Sequence, residues 1–211
     1  MPARLRKPQS SAALRQLIDA AMELERQSMH LYCKFEHFFG QDAGLRSFWF
    51  DMAQHESRHF GALALVAGLM EGAARRALPV TVTPDRIEHL RALLQRLHRE
   101  VDRGIDLERA FEIAIEIEGS EIEDIVLDLL QALKGVGERE RAVQLLIHDL
   151  GDLGYMIEKH TNNASLLARA DELLENHVGR LKKPSRSRGR APRPTHRRPP
   201  TKSSKGVRSV R

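Results

Sequence analysis

The sequence has one cysteine, Cys33, among its 211 residues. One thiol cannot form an internal disulfide or a four-thiolate iron or zinc centre, and this scarcity is typical of proteins in a reducing compartment. No segment approaches the roughly 20 uninterrupted apolar residues of a membrane span, and the first residues, MPARLRKPQSS, contain no apolar stretch of signal-peptide length. We therefore expect a cytoplasmic protein.

Aromatic residues are also scarce, at 5% of the chain, and clusters of β-branched residues are few. Leu, Ala, Glu and Arg dominate instead, and these residues favour helices. Long stretches with helical periodicity agree with that preference, so the sequence predicts an all-α protein. With 41% hydrophobic and 30% charged residues, the chain is long enough to bury one sizeable core and carry appendages.

Acidic residues are missing from the C-terminal segment 182–211, which holds 12 Lys and Arg and five of the nine prolines. Subtracting this +12 from the overall +5 leaves −7 for the rest of the chain. The composition predicts a disordered basic tail. Two interpretations stay open: an arm that binds nucleic acid or another polyanion weakly and without sequence preference, or a solubilising tail without a partner.

Capping residues and glycines predict the helices between the termini. After a short flexible N-terminus over 1–10, helices are expected over about 11–39, 45–70, 84–102, 106–133, 138–160 and 164–181, with a loop over 73–82. Short breaks join the first helix to the second and the fourth to the fifth, so each pair should be an antiparallel hairpin. A long crossover containing the third helix connects the hairpins. The prediction is a four-helix bundle over 11–161, followed by an amphipathic helix over 162–181.

Acidic residues recur at one offset in the two hairpins. Glu25 is followed 31 residues later by Glu56, and Glu118 is followed 31 residues later by Asp149. In each case the second acid begins an acid-x-x-ligand turn, which in the first hairpin ends at His59. A lone acid followed by such a turn, used twice, is the pattern by which four-helix bundles hold two metal ions.

These polar residues interrupt apolar stripes that advance along each helix in steps of three and four. They lie near the middle of their stripes, so they should meet at one level of the bundle, and the stripes of the first two helices contain no Lys or Arg. Buried unpaired carboxylates cost several kcal/mol, which divalent ions would offset, and oxygen-rich sites with imidazole favour iron or manganese over zinc or copper. The candidate metal ligands are Glu25, Glu56, His59, Glu118, Glu121, Asp149 and Asp152.

Some of these ligands have a structural alternative. In the fourth helix, neighbouring isoleucines could occupy the buried face and leave Glu118 and Glu121 in an exposed acidic patch. In the fifth helix, a competing stripe of leucines would turn Asp149 and Asp152 outward. His148 lies about 100° around that helix from Asp149, so it replaces a ligand only if the helix is rotated or bulged.

The ordered set of acids and histidine resembles the di-iron domain of rubrerythrin, within the ferritin-like superfamily. The resemblance covers about residues 11–160, and the extra acid Glu121, one turn after Glu118, favours rubrerythrin over storage ferritin. It implies two iron ions, with manganese as the alternative. Tyr32, two turns beyond Glu25, is a candidate hydrogen-bond donor to the ligands. The second acid-x-x-ligand turn departs from the family, since it has Asp at both positions in place of Glu and His.

The resemblance also implies an assignment of ligands, in which the first hairpin serves one side of the cluster and the second hairpin the other. Glu25, Glu56 and His59 belong to the first side, and Glu118, Glu121 and Asp149 to the second.

The same resemblance implies a function. The expected reaction is oxidation of the iron pair by peroxide or dioxygen, as in a peroxidase or ferroxidase. Because one cysteine cannot build the electron-transfer domain typical of the family, electrons must come from an external donor protein. A homodimer or higher homo-oligomer is expected. Two alternatives remain: an iron-binding or storage protein without turnover, and a degenerate helical adaptor whose basic tail binds polyanions.

Overall fold

A computed structural model describes residues 11–72, 83–120 and 136–182, together with residues 122, 124, 125 and 127. The described chain contains helices and no strand, which confirms the all-α prediction. The termini, the expected loop over 73–82 and most of the basic tail lie outside the described residues. The helices are α1 (Ser11–Phe39), α2 (Ala43–Gly72), α3 (Pro84–Val101), α4 (Leu107–Glu118), α5 (Val136–His160) and α6 (Ala164–Lys182).

None of the helices in the described ranges combines the length and the apolar character that crossing a membrane requires.

Helices α1 and α2 form an antiparallel hairpin. Asp42 begins α2 by accepting a hydrogen bond from the backbone N–H of Leu45 at 2.9 Å, and this bond is the main reason that the pKa of Asp42 is lowered. Near the turn, Tyr32 of α1 stacks on Trp49 of α2 with ring centres 6.1 Å apart. Farther from the turn, Glu25 approaches His59. Positions earlier in α1 thus face positions later in α2.

Aromatic side chains anchor α4 against this hairpin. Phe111 of α4 lies with its ring centre 5.3 Å from that of Trp49 and 6.2 Å from that of Phe48. Burying rings of this size dominates the packing energy of a small core. The cluster contains Tyr32, Phe35, Phe48, Trp49 and Phe111.

Helix α4 ends earlier than the sequence predicts. Asp106 caps its start by accepting a hydrogen bond from the Arg109 N–H at 2.8 Å, but the helix stops at Glu118 instead of continuing to residue 133. A turn at Gly119 and Ser120 interrupts it. Glycine is a weak helix former, and the Ser120 hydroxyl lies 3.3 Å from the N–H of Ile122 and accepts a hydrogen bond from it, which competes with the helical pattern. The predicted fourth helix is therefore interrupted at Gly119 and Ser120, and the described residues 122, 124, 125 and 127 beyond this turn are again helical.

Helices α5 and α6 complete the described chain. Helix α5 begins at Val136, two residues before the predicted start at about residue 138, and includes Gly137. It runs antiparallel to α2, since Met156 approaches Gly44 at one end and Asp149 approaches His55 farther along.

Helix α6 lies parallel to α4 and packs against α5. Its cap Asn163 donates a side-chain hydrogen bond to Glu108 at 3.0 Å near the start of α4. Leu173, farther along α6, lies beside Gly119, which follows the end of α4. The predicted final helix is confirmed to within one residue at its C-terminal end.

His98 of α3 links that helix to α1, since its Nε2 lies 3.1 Å from the carbonyl oxygen of Gln27. Burial lowers the pKa of His98, and the charge of Lys34 lowers it further. A histidine with a lowered folded pKa stabilises the fold at high pH and loses that contribution as the pH falls below its unfolded pKa of about 6.5. We expect the difference in unfolding free energy between wild type and His98→Gln to shrink from about pH 7.5 to about pH 5.5 in urea titrations. Parallel losses in the two proteins would contradict this role.

Candidate metal centre

Glu25 is the innermost acid of α1, with no exposure to solvent. It occupies the apolar stripe of that helix, between Ala21 and Ser28, which are both buried. Neither carboxylate oxygen accepts a hydrogen bond from any described residue. One of them lies 3.6 Å from Nδ1 of His59. A buried carboxylate without a hydrogen bond costs folding free energy, so its position calls for a cation or a proton.

Helix α2 supplies the other two members of this cluster. Glu56 and His59 are one helical turn apart and buried, and an oxygen of Glu56 lies 4.0 Å from Nδ1 of His59. One ligand atom from each of Glu25, Glu56 and His59 lies within 4.8 Å of the others, a spacing that one metal ion could bridge. We call these three residues the buried triad. Two carboxylates and one imidazole are a donor set that suits a divalent transition metal.

Glu118 is the third buried carboxylate. It is the last residue of α4, and the Tyr32 hydroxyl donates a hydrogen bond of 2.6 Å to its Oε1. Tyr32 thus donates a hydrogen bond to one of the predicted metal ligands, while the binding of a metal by Glu118 stays a prediction. Charge-assisted hydrogen bonds of this length orient a carboxylate strongly. Glu121, predicted as the next ligand, lies outside the described residues.

Charge balance is unfavourable around these acids. Three carboxylates are buried in the described part of the chain, whereas every Lys and Arg with a described side chain is at least partly exposed. The arginines form ion pairs near the surface instead, as Arg109 does with Glu100 at 2.6 Å and with Glu112 at 2.7 Å. Metal cations would therefore fit the interior better than the protein's own cations.

The second acid-x-x-ligand turn enters the interior only in part. The side chain of Asp152 is 56% exposed, and that of Asp149 is 15% exposed. The inward position expected for Asp152 is therefore wrong. The competing stripe of leucines forms the buried face of α5. It consists of Leu146, Leu150 and Leu153, which are all buried.

Asp149 and Asp152 instead join an exposed imidazole. Nδ1 of His148 lies 3.4 Å from an oxygen of Asp149 and 3.4 Å from an oxygen of Asp152. One ligand atom from each of the three lies within 4.8 Å of the others. We call His148, Asp149 and Asp152 the surface triad.

His55 is the polar residue that sequence reasoning missed. It is buried, its ring centre lies 4.3 Å from that of His59, and its Nδ1 lies 2.8 Å from an oxygen of Asp149. These last two atoms are close enough for an ion pair but are not aligned for a hydrogen bond. A signal was present in the sequence, because Phe48, Met52, His55 and His59 follow steps of four, three and four along one helical face.

Comparisons with known proteins give no family assignment. No protein-family model matches the chain, and no curated protein or solved structure matches it.

Proposed function

We propose that the protein is a rubrerythrin-like di-iron protein with a ferritin-like four-helix bundle, and that it reacts with peroxide or dioxygen. The observation that supports this proposal most directly is the buried triad of Glu25, Glu56 and His59. Carboxylates in this environment are costly unless cations accompany them. The mixture of carboxylate and imidazole donors favours iron, with manganese as the nearest chemical alternative.

In this proposal the ligands divide between the two hairpins. The buried triad holds one ion, and Glu118 with Glu121 serves the other. Tyr32 orients Glu118 through the 2.6 Å hydrogen bond. Asp149 supports the site through its contact with His55 at 2.8 Å. Asp152 takes no part in binding the pair, since its side chain is 56% exposed.

When bound, the ferrous ions supply the electrons that reduce peroxide or dioxygen. The chain supplies an interior from which water is largely excluded, because the buried triad and Glu118 are almost completely inaccessible. Tyr32 holds a proton at its hydroxyl oxygen, next to Glu118, where it stabilises the carboxylate charge. Electrons return from an external donor protein in this proposal, since a single cysteine cannot build the cysteine-rich electron-transfer domain typical of rubrerythrins. A homo-oligomeric state belongs to the same proposal.

Anaerobic reconstitution with ferrous iron tests the function. We expect about two iron ions per chain after removal of free metal, because four-helix-bundle sites of this kind hold two metal ions. Addition of peroxide should then oxidise the bound iron, with a fast change in the optical absorption. In a titration, this change should be complete when one peroxide has been added per iron pair. Added reductant should restore the ferrous state and permit another cycle.

Three outcomes separate the alternatives. Iron that accumulates without repeated reduction of peroxide would indicate storage. A single iron per chain would assign binding to the buried triad alone and remove the di-iron reaction. Failure to retain any iron or manganese would overturn the proposal and favour a metal-free adaptor.

A further inference from the structure

A pocket of about 200 Å³ opens to solvent between α2 and α5. Three carboxylates line it, those of Asp51, Asp149 and Asp152, together with Tyr155. One ammonium group approaches, that of Lys159, which lies 5.9 Å from the centre of the Tyr155 ring. The acids outnumber this cation, so the pocket concentrates positive ions from solution.

Two members of the surface triad, Asp149 and Asp152, line this pocket, and His148 lies beside both of them. His148 is 73% exposed and Asp152 is 56% exposed, so a hydrated ion can reach both without any movement of the fold. Asp149, which is 15% exposed, links them to the interior. Exposed acids are common on protein surfaces, and this grouping alone does not define a binding site.

His55 provides the independent observation. Its residue exposure is 1%, and neither of its ring nitrogens makes a hydrogen bond with any described residue. Its Nδ1 lies 2.8 Å from Oδ2 of Asp149, an oxygen that is itself buried and accepts no hydrogen bond from any described residue. A buried imidazole is normally hydrogen-bonded, so two unbonded ring nitrogens beside a mostly buried carboxylate indicate a ligand position.

The contacts continue inward from His55. Its ring centre lies 4.3 Å from that of His59, which belongs to the buried triad. Side-chain exposure falls from 56% at Asp152 to 15% at Asp149 and 1% at His55. A line of carboxylate and imidazole side chains therefore leads from solvent to the buried carboxylates, with no described Lys or Arg among its members.

We propose that the surface triad binds a divalent transition-metal ion and that His55 lies on the path by which this ion reaches the buried triad. The surface site stands on its own geometry, whereas the path rests on the proposed function. Two carboxylates and one exposed imidazole leave most coordination positions to water, so the surface site binds weakly and releases its ion readily.

Cobalt(II) without peroxide or reductant tests both parts. Equilibrium titration should reveal weak binding in addition to tight binding, and His148→Ala/Asp152→Asn should lose only the weak component. Trp49, the only tryptophan in the sequence, lies two helical turns from Glu56, so quenching of its fluorescence reports filling of the buried triad. In stopped-flow mixing, the double variant should fill that site about tenfold more slowly, because it lacks the attracting cluster.

His37→Ala/Glu172→Gln is the matched control, since it removes the same two kinds of exposed group on α1 and α6, and neither helix lines the pocket. It should retain both components and the wild-type filling rate. His55→Leu should keep the weak component but also fill the buried site slowly.

Each result has a distinct meaning. Unchanged weak binding in the His148→Ala/Asp152→Asn variant overturns the surface site. Unchanged filling rates in both that variant and His55→Leu overturn the path. If wild type shows weak binding that the double variant loses, but no tight binding at all, the surface site is supported while the path and the proposed function both fail.

Discussion

Replacing Glu25 with glutamine is expected to stabilise the metal-free protein and to abolish its stabilisation by metal. The side chain is fully buried and accepts no hydrogen bond from the described residues, so a neutral amide of the same shape removes an uncompensated charge. We expect the free energy of unfolding without metal to rise by about 1–3 kcal/mol. In wild type, ferrous iron or cobalt at a hundredfold excess over its Kd should add about 2.7 kcal/mol, and the variant should lose this gain.

Urea unfolding with chelator and with excess metal measures both effects. Glu158→Gln is the control, because it makes the same chemical change at an exposed position of α5 and should alter neither quantity by more than about 0.5 kcal/mol. The opposite signs of the two effects are diagnostic. A variant that is less stable without metal, or that is stabilised by metal as strongly as wild type, would contradict a role for Glu25 as a buried ligand.

Local sequence signals predicted most helix boundaries well. They failed where tertiary contacts decide where a helix ends or which of its faces is buried. The bounds of α1 and α6 follow from capping residues and apolar periodicity. The end of α4 did not follow, because its apolar stripe continues in phase past Gly119 and one glycine costs a helix only about 1 kcal/mol. The Leu173 side chain of α6 lies beside that glycine, a tertiary contact that local sequence signals do not contain.

The first half of the site could be predicted for a related reason. Glu25, Glu56 and His59 interrupt strong apolar seams, and each seam has one plausible buried face. Helix α5 has two faces that could be buried. Its contacts with both α2 and α6 select the face that contains Leu146. The opposite choice would have buried Leu145, which is 46% exposed.

His55 escaped prediction because it lies at the edge of the α2 seam. Such a residue becomes a core residue only when a second helix covers that edge, and α5 does so through Asp149.

Replacing Tyr32 with phenylalanine is expected to destabilise the protein by about 1.5–3 kcal/mol, the range for a hydrogen bond to a charged group. The variant keeps the aromatic ring that stacks on Trp49, so the packing of the cluster should change little. It loses the hydroxyl that donates to Glu118 at 2.6 Å and leaves a buried carboxylate with one fewer donor. Tyr155→Phe, at a side chain that is 59% exposed, is the matched control and should change stability by less than about 0.5 kcal/mol.

A double-mutant cycle with Glu118→Gln isolates this contact from other interactions of the two residues. If the hydroxyl stabilises the charged carboxylate, Tyr32→Phe should cost much less in the Glu118→Gln background, with a coupling energy of about 1–3 kcal/mol. Equal costs in the two backgrounds would show that Tyr32 acts through packing alone. Because metal would also compensate the carboxylate, saturating ferrous iron should reduce the Tyr32→Phe cost if Glu118 is a ligand. An unchanged cost with iron bound would show that Glu118 is not a metal ligand. Among the described residues, only the buried triad would then supply carboxylate ligands to the metal centre.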